Sequence, residues 1–165
     1  MATLAQLKLK EGDKAPSFLA AATTGSTISL ESLKGKHVIL FFYPKDNTSG
    51  CTKEACGFRD VYSQLKQLGV EVLGISTDSL SSHEKFRQKY QLPFPLLVDE
   101  SHQIVQAYGV WGEKKFMGRK YQGTHRVTFW IGPDGRIRRI WATVKPDLHA
   151  QEVLAALQPQ PNAIN

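Results

Sequence analysis

Six consecutive apolar residues, Val38-Ile39-Leu40-Phe41-Phe42-Tyr43, end abruptly at Pro44. A run of this length, rich in β-branched and aromatic side chains, suits a strand covered on both faces, as parallel strands are, and is far too short to cross a bilayer. Polar Lys45 to Gly50 reads as a loop. From Thr52 to Leu68 the apolar positions Ala55, Phe58, Tyr62 and Leu65 recur at steps of three and four, which predicts an amphipathic helix closed by Gly69. A buried strand that feeds through a short loop into a helix is the repeating unit of an α/β fold.

The rest of the chain continues that alternation. Val70 to Ser76 reads as a second strand, and Ser81 with Glu84 forms a capping box for a helix running to about Tyr90. Leu96 to Val98 is a short third strand, followed by a helix from about Ser101 to Tyr108. Val127 to Ile131 and Arg136 to Thr143 flank Pro133-Asp134-Gly135, which reads as an antiparallel hairpin, and a closing helix spans His149 to Leu157. The order predicts an α/β domain of thioredoxin-like topology: a mixed central sheet, helices on both faces and a C-terminal β-hairpin. All 165 residues fit one domain, with 1–11 and 158–165 peripheral and the tail after Leu157 poorly ordered.

Charge raises the question of an anionic partner, since 21 Lys and Arg oppose 15 Asp and Glu, a formal net charge of +6. The densest basic stretches, Lys114, Lys115, Arg119, Lys120 and then Arg136, Arg138, Arg139, lack the repeated basic-aromatic interleaving of a strand-binding groove. They read as solvated surface, with no nucleic-acid or membrane partner. Met1 to Asp13 holds no apolar core of signal-peptide length, so the expected location is the cytoplasm, or a plastid if a transit peptide has been removed.

Two cysteines are too few for the disulfide framework of a small secreted protein, and they sit close together as Cys51 and Cys56. Cys51 falls at the first turn of the predicted helix, at the C-terminal end of the buried strand, where free backbone N–H groups and the helix dipole favour thiolate. Projection at 100° per residue puts Cys51 on the stripe of Ala55, Phe58 and Tyr62, and Cys56 among Thr52, Arg59, Asp60 and Ser63. In an intact helix, residues five apart have Cα atoms roughly 8.5 Å apart on faces about 140° apart, beyond the approximate 7 Å limit for a disulfide. The pair can bond only if the first helical turns unwind. The alternative is bland: one small buried thiol and one unremarkable, partly exposed one. A metal site fits less well, because Cys-x4-Cys offers two ligands of four and His37, His83, His102, His125 and His149 are scattered.

Pro44, Thr48 and Cys51 match the Pro-x3-Thr-x2-Cys pattern of the peroxiredoxins, and the run Phe41 to Asp60 resembles the branch called bacterioferritin comigratory protein or peroxiredoxin Q. The similarity extends from about Gly12-Asp13-Lys14-Ala15-Pro16 to the final helix. It implies a thiol peroxidase in which Cys51 is peroxidatic and Cys56, five residues later, is resolving. It also implies an arginine on a later strand that reaches the sulfur, carried here by Arg126 within Tyr121-Gln122-Gly123-Thr124-His125-Arg126. Pattern alone could not choose it among 21 cationic residues. The family implies no bound cofactor, an external dithiol reductant such as thioredoxin, and a monomer. One departure is visible: Ser49 stands where the family commonly has proline.

Thiolate formation cannot by itself supply the rate. Lowering a thiol pKa from about 8.5 to about 6 raises the thiolate fraction at pH 7 roughly thirtyfold, but a Brønsted slope of about 0.45 returns roughly tenfold of that as lost nucleophilicity. Donors aimed at the breaking O–O bond must supply the rest, and Arg126, backbone N–H groups near Gly50 and Cys51, and the Thr48 hydroxyl are the candidates, with Pro44 excluding water. A thioredoxin-like disulfide reductase is the nearest rival; it wants Cys-x-x-Cys at the helix start, and four residues intervene here.

Overall fold

The apolar run is the middle strand of a five-stranded sheet. The computed structural model describes residues 7–159. In chain order its strands are β1 (Leu19–Ala21), β2 (Thr27–Ser29), β3 (His37–Phe42), β4 (Val70–Ser76), β5 (Leu96–Val98), β6 (Trp111–Phe116), β7 (Arg119–Thr124), β8 (Val127–Ile131) and β9 (Ile137–Trp141). Its helices are α1 (Ser49–Gln67), α2 (Leu80–Tyr90), α3 (Gln103–Ala107) and α4 (His149–Leu157), with a 3₁₀ turn at Glu31–Leu33. The main sheet has the order β5-β4-β3-β8-β9, parallel across β5, β4 and β3 and antiparallel across β3, β8 and β9. This is the mixed sheet with a C-terminal hairpin that the sequence predicts.

Strand periodicity divides the core in two. Ile39, Phe41 and Tyr43 point to one face, where α1, α2 and α4 bring Phe58, Phe86 and Val153. Val38, Leu40 and Phe42 point to the other, where α3 supplies Ile104 and Val105 and the N-terminal segment supplies Ala15 and Phe18. Both faces of β3 are therefore dry, which is why the strand reads as a continuous apolar run rather than an alternating one. Phe41 and Phe58 stack with centroids 4.8 Å apart and fix α1 against the sheet. Gly74, opposite Phe41 in the register, leaves room for that ring: a Cβ there would lie 2.8 Å from Phe41 Cζ and from Leu96 Cδ2. On the outer side, α4 seats closely on α1, where a Cβ on Gly57 would lie 3.1 Å from Ala150 Cβ.

Several boundaries differ from those read off the sequence. Helix α2 starts earlier, because Ser79, not Ser81, is its cap and accepts a hydrogen bond from Ser82 N at 3.2 Å. Helix α3 is confined to Gln103–Ala107, preceded by His102 at φ +64°. Two small two-stranded sheets, β1–β2 and β6–β7, were not expected. The β6–β7 hairpin turns at Met117 and Gly118, both with positive φ, a two-residue turn of the kind that matches strand twist. No helix among the described residues is long and apolar enough to cross a membrane. The extreme termini expected to be peripheral, 1–6 and 160–165, lie outside the described residues.

Candidate active site

The buried strand delivers the chain to the site. After Tyr43 the backbone runs through Pro44 to Thr48, which caps α1 in an extended conformation at φ −91° and ψ 159°. Ser49, Gly50 and Cys51 are then the first three helical residues, whose backbone N–H groups have no intrahelical partners. Cys51 is only 1% exposed, enclosed by the α1 side of the core. The strand-to-helix junction also carries the positive end of the helix dipole.

Arg126 comes to this sulfur from the opposite side of the sequence. It lies in the short link between β7 and β8, beside β3, and its Nη2 donates to Cys51 Sγ at 3.3 Å. Its Nη1 donates to Glu54 Oε1 at 2.8 Å. Glycine at position 50 leaves this approach uncrowded, since a Cβ there would sit a tight 3.1 Å from Arg126 Nη2. Burial pulls the guanidinium's pKa down, but the charges of Glu54 and Cys51 outweigh it, leaving Arg126 above its ordinary value and firmly cationic.

Glu54 is fully buried, and its second carboxylate oxygen, Oε2, has no hydrogen-bond partner. Loss of hydration pushes its carboxyl up to about 7, and Arg126 offsets that only in part. Lys114 of β6 is the second cation in the neighbourhood. Its half-buried ammonium donates to Thr124 O at 3.0 Å, two residues from Arg126. Burial and the Arg126 charge lower the Lys114 pKa, while the Cys51 charge raises it, so the amine feels both partners of the central contact.

The remaining expected residues stand around this core. Pro44 is half-buried at the head of the loop. The Thr48 side chain is exposed and its Oγ1 donates to Lys45 O at 2.8 Å, bracing the loop on itself. Cys56 is partly buried and, like Cys51, a free thiol. Burial raises its pKa, with Arg59 pulling it down and Asp60 pushing it up, the two neighbours expected from the helical projection.

The structure thus brings Cys51 and Arg126 together, keeps Thr48 and Pro44 on the adjoining loop and leaves Cys56 on another face of α1. Glu54 and Lys114 were missed by sequence reasoning. Glu54 had a signal, because it follows Cys51 by three residues and so occupies the same side of the helix one turn on. Lys114 had none, lying in a basic stretch that reads as surface.

Comparison with known proteins gives a consistent result. Residues 11–140 match the AhpC/TSA family. The chain is 46% identical over 146 residues to peroxiredoxin Bcp of Escherichia coli K12, covering 88% of this chain and 94% of that protein. A mutant of Xylella fastidiosa PrxQ superposes with a TM-score of 0.85 at 34% identity, over 90% of this chain and 95% of the other. The bacterioferritin comigratory protein of Xanthomonas campestris, whose structures concern its alkyl peroxide reduction activity, gives a TM-score of 0.81 at 34% identity, over 93% and 96% of the two chains.

Proposed function

This chain belongs to the AhpC/TSA family, in its Bcp/peroxiredoxin Q branch, and on that premise we propose that Cys51 attacks the peroxide and Cys56 closes a disulfide behind it. Membership makes the protein a thiol-dependent peroxidase, an antioxidant oxidoreductase that consumes a peroxide and draws electrons from a thiol reductant. The assignment of roles to individual residues rests chiefly on one contact, the 3.3 Å hydrogen bond from Arg126 Nη2 to Cys51 Sγ at the start of α1.

In the first step the Cys51 thiolate displaces on one peroxide oxygen: the S–O bond forms, the O–O bond breaks, and alkoxide or hydroxide leaves, to be protonated to alcohol or water. Negative charge moves from sulfur onto the departing oxygen. Arg126 and the unpaired N–H groups at Gly50 and Cys51 stabilise charge on both, which is where fixed donors lower the barrier most. Thr48, braced by Lys45 O, orients the peroxide, and Pro44 shields the sulfur from bulk water. In the second step the Cys56 thiol attacks the Cys51 sulfenic acid, the S–S bond forms and water leaves. The intact helix keeps the two sulfurs on different faces, so residues from 49 to 56 must unwind for this closure. An external dithiol, thioredoxin, then reduces the bridge. We assign hydrogen peroxide and organic hydroperoxides as substrates, no bound cofactor, and a monomer acting in the cytoplasm.

Rapid mixing of the reduced protein with peroxide, followed by quenching and mass analysis, tests the assignment. Cys51→Ser should abolish turnover, whereas Cys56→Ser should complete one fast oxidation to sulfenic acid and then stall with thioredoxin as donor. Equal steady-state turnover of Cys56→Ser and wild type would remove Cys56 from the resolving role.

A further inference from the structure

The loop that leads into Cys51 is tied down by a buried network that the chemistry above does not use. Asp46 sits in that loop with its carboxylate almost wholly buried. Tyr43 Oη donates to its Oδ1 at 2.6 Å, Ser82 Oγ to its Oδ2 at 2.8 Å, and His83 Nδ1 approaches Oδ2 at 2.6 Å. The Asp46 backbone N–H donates to Asp78 Oδ2 at 2.8 Å, and Asp78 in turn accepts from Ser76 Oγ at 2.6 Å. The His83 ring is fully buried, and its Nε2 lies 2.7 Å from Leu97 O on β5.

The proton count follows from the partners. A carbonyl oxygen only accepts, so Nε2 carries a hydrogen toward Leu97. Asp46 Oδ2 and His83 Nδ1 share one hydrogen across 2.6 Å, so the ring is held at both nitrogens, at Nε2 by Leu97 O and at Nδ1 by Asp46. Burial and then Asp46 hold the Tyr43 phenol well above its ordinary value, so it serves as a donor to Oδ1. Donor atoms of Asp46, Asp78 and His83 lie within 4.8 Å of one another, as metal ligands would. The ring nitrogens and the contacting carboxylate oxygens are, however, engaged in hydrogen bonds, so the cluster is a knot rather than a cation site.

We propose that His83 is a positioning residue for the peroxidatic loop: it fastens Asp46, and through it the segment from Tyr43 to Thr48, to β5, so that the loop and the start of α1 stay in place for the attack on peroxide. The inference rests on Cys51 being the attacking sulfur. Ser79 caps α2 four residues before His83, and Ser82 on the same turn reaches Asp46, so α2 presents two side chains to the loop from a well-started helix. The Asp46 knot thus holds the chain on the N-terminal side of Cys51.

The two half-reactions separate the effect. Rapid quench with mass analysis gives the second-order rate of Cys51 oxidation and the first-order rate of Cys51–Cys56 closure for wild type, His83→Phe, Asp46→Ala and Asp46→Asn. His83→Phe and Asp46→Ala should slow oxidation by roughly ten- to a hundredfold, the order expected for a misplaced reacting group, while closure stays within a few-fold of wild type. Asp46→Asn should recover most of the oxidation rate, because its amide can donate to a neutral Nδ1 and its oxygen can accept from Tyr43. Oxidation of His83→Phe at the wild-type rate, or Asp46→Asn as slow as Asp46→Ala, overturns the proposal. Should His83→Phe fail to fold, proton spectra of the wild-type imidazole decide: a slowly exchanging His83 ring N–H supports the knot, and ring hydrogens that exchange freely with solvent overturn it. Wild-type Cys51 that resists peroxide would instead defeat the assignment of the attacking sulfur.

Discussion

Glu54 and Cys51, one helical turn apart, share a single guanidinium: Arg126 donates at 2.8 Å to the carboxylate and at 3.3 Å to the sulfur. The two acceptors compete for one positive charge. Glu54 is raised to about 7 chiefly by burial, so near neutral pH its protonation state decides how much of that charge the sulfur receives.

Glu54→Gln isolates this competition, because glutamine keeps the oxygen that accepts from Arg126 and loses the charge. A carboxyl raised from 4.5 to about 7 on folding stays protonated in the native state while the unfolded chain ionises, so it costs stability as pH rises through that window. The full swing is on the order of 3 kcal/mol. Denaturant unfolding of wild type should show stability declining between pH 4.5 and 7, and Glu54→Gln should flatten that decline. Parallel curves for the two proteins would show that Glu54 is not the buried acid. Above pH 7, Cys51 of the variant should also alkylate several-fold faster with iodoacetamide.

Gly50→Ala should separate activity from stability. Alanine in the first turn gains up to about 1 kcal/mol of helix propensity, but its Cβ would stand 3.1 Å from Arg126 Nη2 and push the guanidinium off the sulfur. The expected result is an unchanged or higher melting temperature with a peroxide oxidation rate down about tenfold. A variant as fast as wild type would mean that Arg126 does not need its observed seat.

Lys114→Met removes the second cation and keeps an apolar stem of similar length. Cys51 oxidation should fall several-fold at low salt. Since a half-buried charge is partly screened by ions, the gap between variant and wild type should narrow in about 1 M salt. A salt-independent gap would point to lost packing of the hairpin instead.

Much of the frame is legible in the sequence because it is written by burial. A strand dry on both faces must be a run of apolar residues, and α1 packed through Ala55, Phe58 and Leu65 must show helical steps. What escapes is structure held by polar or idiosyncratic means. The β6–β7 hairpin pairs Lys115 with Lys120 and turns on Met117-Gly118, so neither alternation nor an Asn-Gly signal announces it. Capping by Ser79 rather than Ser81 could not be distinguished in a stretch with three serines from Ser79 to Ser82 interrupted once by Leu80. At the site, the position of Cys51 follows from the strand-to-helix pattern, while Arg126 comes from 75 residues away. Only the resemblance to a family singled it out, and the structure supplies the reason for it.

The seat of α4 on Gly57 limits how far any rearrangement can spread. Gly57 follows Cys56 directly and lies close beneath Ala150, and Phe58 after it is wholly enclosed. A melt that began at Ser49 and ran past Gly57 would have to lift a helix and tear an aromatic stack out of the interior, so the fold carries its own doorstop. If Cys51 and Cys56 bridge as proposed, the rearrangement is held to about two turns of chain, and a reductase would meet its target as a short, freshly exposed loop.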